Sequence, residues 1–297
     1  MSKSRSGNAV QQGGPPLERG STVVDLLPAV IIDATMARPF PTLRDLWSYR
    51  DLLAILTWRD VAVRYKQTVF GVGWALLQPL LMTVVFSLLF GRLARLPSDD
   101  LPYPLFALAG LVVWGFFSAA VTNGGNSLIG NASLITKVHF PRLLIPCAAV
   151  GAALVDFAIG VGLLLLLGVY YRLPPGAHLL LLPVVAVLLS LLAGAIALWM
   201  AALNVKYRDV RYALPFILQF WMFASPVIYP LSLVPPHWRW LMVLNPLTGI
   251  IETMRVAFGG SRLSVPGLLC ATVVTSVVFV YALYSFQRME RDFADLV

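Results

Sequence analysis

Six long stretches nearly free of charge run through this chain, at 67–91, 101–136, 143–171, 179–205, 212–238 and 263–287, and Asp156 is the one acid inside them. A hydrocarbon core of ~30 Å takes about 20 helical residues to cross, and each stretch is long enough. Lipid offers the backbone no hydrogen-bond partner, so a helix, which satisfies every N–H and C=O within one segment, is the economical answer. The pattern predicts an all-α polytopic membrane protein with six transmembrane helices, near 71–91, 105–123, 143–169, 179–203, 213–230 and 263–287.

The charges between these stretches predict an orientation. Most of the 22 Lys and Arg fall in the N-terminal segment or on alternate connections: Lys137 and Arg142, then Lys206, Arg208 and Arg211, then Arg288 and Arg291. Only Arg92, Arg95, Arg172, Arg239, Arg255 and Arg262 fall on the other side. By the positive-inside rule the richer side, with both termini, lies in the cytoplasm. The net charge of +8 is this asymmetry plus some attraction to anionic membrane lipid. Nucleic-acid binding would want a compact basic face, and none is apparent.

Three regions follow. Residues 1–41 are polar with scattered Gly and Pro, and read as a disordered cytoplasmic tail rather than a signal peptide. Residues 42–66 put Leu46, Tyr49, Leu52, Leu53 and Leu56 on one arc, with Trp47 and Trp58 placed for an interfacial belt. They predict an amphipathic helix on the inner membrane face. Residues 67–297 are the membrane domain. Its fifth stretch is broken by Pro215, Pro226, Pro230, Pro235 and Pro236, leaving one continuous helix over about 213–228. Two short apolar segments around Asn245-Pro246 follow, and re-entrant or outer helices are expected there.

Little in the chain points to catalysis. There is no GxxxxGK[ST] loop, so ATP cannot be hydrolysed here in the usual phosphate cradle. His139, His178 and His237 stand on three different connections, and no metal cluster is expected. Cys147 and Cys270 lie at different depths and read as unpaired core residues. An intramembrane enzyme would need a convergent polar cluster, and an ion-coupled carrier or flippase more than one buried ionisable group. Asp156 alone leaves two roles open, a hydrogen bond to Ser or Thr of a neighbouring span or an ion path, and no basic residue stands at its depth to pair with it.

Two aromatic faces also stay open between packing and ligand stacking. Tyr212, Phe216, Gln219, Phe220 and Phe223 share one helical face, and Trp114, Phe117, Ser118 and Val121 share another.

Four segments carry a family resemblance. They are 57–79, ending Gly71-Val-Gly-Trp-Ala-Leu-Leu-Gln-Pro79; Lys137-Val-His-Phe-Pro-Arg142; Asn204-Val-Lys-Tyr-Arg-Asp-Val-Arg211; and Ser225-Pro-Val-Ile-Tyr-Pro230 with Asn245-Pro-Leu-Thr248. In this order they resemble the membrane (permease) subunit of type-2 ABC exporters for polysaccharides, the O-antigen, capsule and teichoic-acid permeases. The N-terminal tail departs from that pattern. The resemblance implies a homodimer in the bacterial inner membrane, with two copies of a separate cytoplasmic ATPase that binds ATP and Mg. It implies a lipid-linked polysaccharide substrate, typically on undecaprenyl pyrophosphate. By likeness, Leu46, Tyr49, Leu53 and Leu56 belong to an interface helix. Ser127, Leu128, Asn131, Leu134, Lys137 and His139 belong to a helix that couples to the ATPase. Arg59, Arg64 and Lys66 would receive the pyrophosphate at the entrance. Trp114, Phe117, Tyr212, Phe216, Phe220 and Phe223 would line the glycan path.

Overall fold

A computed structural model describes residues 47–66, 70–71, 73–137, 140–173, 176–207, 209–260 and 263–290. The tail 1–41, Leu46 and His139 lie outside these. Among the described residues all regular structure is helical. Helix α1 (Arg50–Lys66) leads to α2 (Gly73–Phe86), which a π-helical segment, Ser87–Leu93, extends. Then come α3 (Tyr103–Gly130), α4 (Ala132–Lys137), α5 (Leu144–Tyr170) and α6 (Leu182–Lys206). The chain closes with α7 (Val210–Phe223), α8 (Pro236–Leu244), α9 (Pro246–Ala257) and α10 (Val265–Glu290).

Five helices among the described residues are long and apolar enough to cross a bilayer: Gly73–Leu93, Tyr103–Gly130, Leu144–Tyr170, Ala177–Lys206 and Val265–Glu290. The fifth apolar stretch behaves differently. Its helix α7 is 14 residues long, roughly 21 Å at an α-helical rise, and stops at Phe223, short of the expected end. Pro226 explains the stop, because a proline lacks the N–H for the ladder and disfavours helix just before itself.

Helix α3 is the centre of the bundle, packed against α2, α5, α6, α7 and α9. Small residues bring its neighbours close, the usual device where lipid supplies no hydrophobic drive between helices. A Cβ on Gly124 would stand 2.7 Å from the Ala197 methyl of α6, and one on Gly160 of α5 would stand 2.9 Å from the Val112 methyls of α3. The motif residue Asn204 pins this contact near the C-terminal end of α6. It is buried, and its Nδ2 donates to the Gly125 carbonyl at 3.0 Å and to Asn126 Oδ1 at 2.9 Å.

The second span also outruns its expected end. Helix α3 continues past Asn123 to Gly130, so Ser127 and Leu128 lie in its last turns rather than in a surface connection. No proline or charge interrupts the sequence there, and the Asn131 side chain donates back to the Ser127 carbonyl at 2.8 Å to close the helix.

Candidate functional site

Around the first turns of α5, the helices α1, α4 and α5 form one unit. Leu56 is buried with Leu144 and Ala148 of α5, and Leu52, Leu53, Leu134 and Phe140 pack around them. A Cβ on Gly151 would stand 3.0 Å from Thr57 Oγ1. Further along, Arg64 and Tyr65 both donate to the Asp156 carboxylate, Arg64 to Oδ2 and Tyr65 to Oδ1. Contacts on both helices advance in the same chain direction, so α1 runs alongside α5. The apolar arc of Leu53 and Leu56 is therefore covered by protein. Trp47, Tyr49, Ile55, Trp58 and Val63 stay exposed, and these can meet lipid. An apolar arc has the same sequence whether protein or lipid covers it, and here α5 covers Leu53 and Leu56 while the opposite face stays exposed.

Asp156 differs from the sequence reading, which leaves open a hydrogen bond to Ser or Thr of a neighbouring span or an ion path and places no cation at its depth. The structure supplies the cation from α1, 92 residues earlier in the chain. Burial first, then Asp156, pushes the Tyr65 hydroxyl up to about 12, so it stays a proton donor at physiological pH. Of the three expected entrance cations, Arg64 is thus committed to Asp156 and Arg59 to Asp60 at 2.8 Å. Lys66 is exposed.

The expected coupling residues divide. Ser127 and Leu128 are buried in the bundle, Asn131 and Leu134 are half-buried, and Lys137 is exposed at the end of α4. Leu134 also packs against the cluster formed by Leu56 of α1 with Leu144 and Ala148 of α5, so α4 and α1 share one apolar cluster.

The aromatic faces divide too. Phe117 is 0% exposed and Trp114 is buried, so both are packing residues. Phe117 meets Trp221 of α7 edge-on, centroids 5.1 Å apart. On α7 the buried stripe is Leu214 and Leu218, continued by Trp221. The opposite stripe of Tyr212, Phe216, Phe220 and Phe223 turns away from the bundle, with Phe216 74% and Phe220 72% exposed. Phe216, Ile217, Phe220, Trp221 and Ala224 line an open apolar groove of about 490 Å³.

The turn 224–228 holds a polar knot that sequence reasoning did not find. Asn245 Nδ2 donates to Ser225 Oγ at 2.8 Å and to the Ala224 carbonyl, and its Oδ1 accepts from Leu247 N and from Trp221 Nε1. Arg255, 3% exposed, donates through Nη2 to the carbonyls of Pro226 at 2.8 Å and Val227 at 2.9 Å, and through Nη1 to Glu252. Its guanidinium lies 3.5 Å from the centre of the Phe106 ring. Burial pulls the Arg255 pKa down to about 10, and the Glu252 carboxylate opposes that fall. Tyr103 OH donates to the Ile228 carbonyl at 2.9 Å. The turn 224–228 thus has its carbonyls met by side chains from α3 and α9 where Pro226 interrupts the ladder. By sequence Arg255 counts only among the few cations opposite the basic side, and the one signal for its burial is Glu252 three residues before it.

These two motif segments, twenty residues apart, prove to be one structural unit. The model of the ABC-2 type transporter family matches residues 51–259, a range that runs from α1 through the polar knot. The chain belongs to the ABC-2 type transporter family. As an ABC-2 protein it is similar to the O-antigen export system permease protein RfbA of Myxococcus xanthus. The two are 34% identical over 258 residues, 86% of this chain and 98% of that protein. It is 27% identical to the O-antigen export system permease protein RfbA of Klebsiella pneumoniae over 248 residues, 83% of this chain and 95% of the other. It is 24% identical to the polysialic acid transport protein KpsM of Escherichia coli over 203 residues, 67% and 78% of the two chains.

Proposed function

We propose that this chain is the membrane subunit of an ATP-driven exporter, moving a lipid-linked, O-antigen-like polysaccharide across the bacterial inner membrane. The observation that carries this reading is the likeness over nearly the full length of two permeases named for O-antigen export. Two copies of the chain would enclose the path, and two copies of a cytoplasmic ATPase would bind ATP and Mg. Both termini would lie in the cytoplasm with the basic connections. The exposed stripe Tyr212, Phe216, Phe220 and Phe223 supports the path assignment, because the C–H faces of sugar rings stack on aromatic rings. The exposed Lys137 at the end of α4, three residues beyond Leu134 in the Leu56 cluster, supports an ATPase seat on the inner side. An undecaprenyl pyrophosphate headgroup fits Lys66 better than Arg59 or Arg64, since both arginines already hold carboxylates.

An ion-coupled carrier gains no support from Asp156, whose carboxylate is held by Arg64. The test is reconstitution. The chain should co-purify with a cytoplasmic ABC ATPase, and proteoliposomes should move an undecaprenyl-pyrophosphate-linked glycan only when ATP is hydrolysed. Transport that proceeds without ATP would overturn the reading.

A further inference from the structure

Asp156 stands twelve residues into α5, roughly 18 Å from its first residue at an α-helical rise. A carboxylate at that depth in an apolar span is costly unless a cation and hydrogen bonds meet it. Both come from a single neighbouring turn of α1, Arg64 supplying the charge and Tyr65 a phenolic donor. The pair is half-buried, with 30% and 26% of the two side chains exposed, so water can reach it when the helices part. Between this clasp and the Leu56 cluster, Thr57 rides directly over Gly151, where any larger side chain would crowd it. Helix α1 is therefore held on α5 at two levels, one apolar and one ionic. The apolar level also includes Leu134 of α4.

We infer that Arg64, Tyr65 and Asp156 are positioning residues for transport: they clasp α1 to the third span, so that a push on α1 and α4 is carried into α5. This rests on the exporter reading. An apolar contact tolerates sliding because it has no direction, whereas an ion pair with two oriented donors has one seat. Once parted it leaves a charge in each helix that has to be hydrated. The clasp therefore has two discrete states, seated or open, as a coupling element needs.

Two measurements test it, one of them independent of the ATPase. In a background with Cys147→Ser and Cys270→Ser, the pair Thr57→Cys and Gly151→Cys reports α1–α5 contact in native membranes through its disulfide yield. Asp156→Asn and Arg64→Gln should each lower that yield severalfold, and Arg64→Asp combined with Asp156→Arg should restore most of it. In proteoliposomes with the ATPase, glycan exported per ATP hydrolysed should fall about tenfold in the single variants, the scale of an allosteric coupling factor. ATP hydrolysis itself should persist, and the charge-reversed pair should regain coupling. An unchanged export-to-hydrolysis ratio in both single variants overturns the inference, whatever the disulfide yields. Should the charge variants fail to insert, Tyr65→Phe, which removes only the phenolic donor, decides: unchanged yield and ratio overturn the clasp. If no ATPase associates, the exporter reading falls by itself, and disulfide yields unaffected by the substitutions would still remove the clasp.

Discussion

Asn245 and Ser225 are joined side chain to side chain at 2.8 Å, and this bond ties the residues just after α7 to the start of α9. Around it, every polar atom of the Asn245 amide has a use: two donations and two acceptances. An apolar side chain here would strand the Trp221 N–H and the Ser225 hydroxyl. Leaving buried polar groups unmet costs about 1–3 kcal/mol each. Asn245→Leu should lower the thermal unfolding midpoint in detergent micelles clearly, and an unchanged midpoint would show that the bond is incidental.

Arg255 makes a stronger demand. Its removal uncovers the carbonyls of Pro226 and Val227 and leaves Glu252 without its partner. Breaking a buried pair in this way typically costs about 3–5 kcal/mol. Arg255→Lys should rescue little, because an ammonium cannot serve two carbonyls and a carboxylate while lying flat on Phe106. Faster amide exchange across 224–228 in the lysine variant would bear this out, and wild-type protection would refute it.

Gly110 lies where a Cβ would run into the Val227 carbonyl, the same oxygen that Arg255 holds. Overpacking against backbone usually costs about 1–3 kcal/mol, so Gly110→Ala should destabilise. Gly115, on the same helix with nothing within 4 Å of its Cβ position, is the control. Gly115→Ala should keep full stability in the same melting assay. Equal behaviour of the two variants would contradict the packing described for α3 and the 224–228 turn.

The two aromatic faces should part company under alanine substitution. Phe117→Ala removes a fully buried ring that meets Trp221, a change expected to cost about 3–5 kcal/mol. Phe216→Ala and Phe220→Ala touch exposed rings and should shift stability by no more than about 0.5 kcal/mol. If α7 lines the glycan path, these two variants reduce export while folding and inserting normally. Normal export in the double variant would remove the stripe from the path.

The membrane class, the long spans and the break in the fifth stretch were all legible in the chain. They depend on local composition: runs of apolar residues long enough for a bilayer, and prolines that cannot join a helical ladder. The candidate sites were legible only as faces. Periodicity put Tyr212, Phe216, Phe220 and Phe223 on one stripe and Trp114 with Phe117 on another, yet it could not say that the first looks outward and the second inward. That difference comes from α3 sitting at the centre of the bundle while α7 is attached along one edge. Ser127 and Leu128 went the same way, drawn into the core because α3 does not stop where a minimal span would.

Charge partners were the least legible of all. Asp156 and Arg64 are far apart in sequence, and so are Arg255 and the 226–227 carbonyls. No local rule relates them. Membrane topology follows from the free energy of moving each segment between water and lipid, which is nearly a property of that segment. Which buried charge meets which donor follows from how the finished helices pack, because an ion pair forms only where the backbone has already brought both ends within a few ångströms.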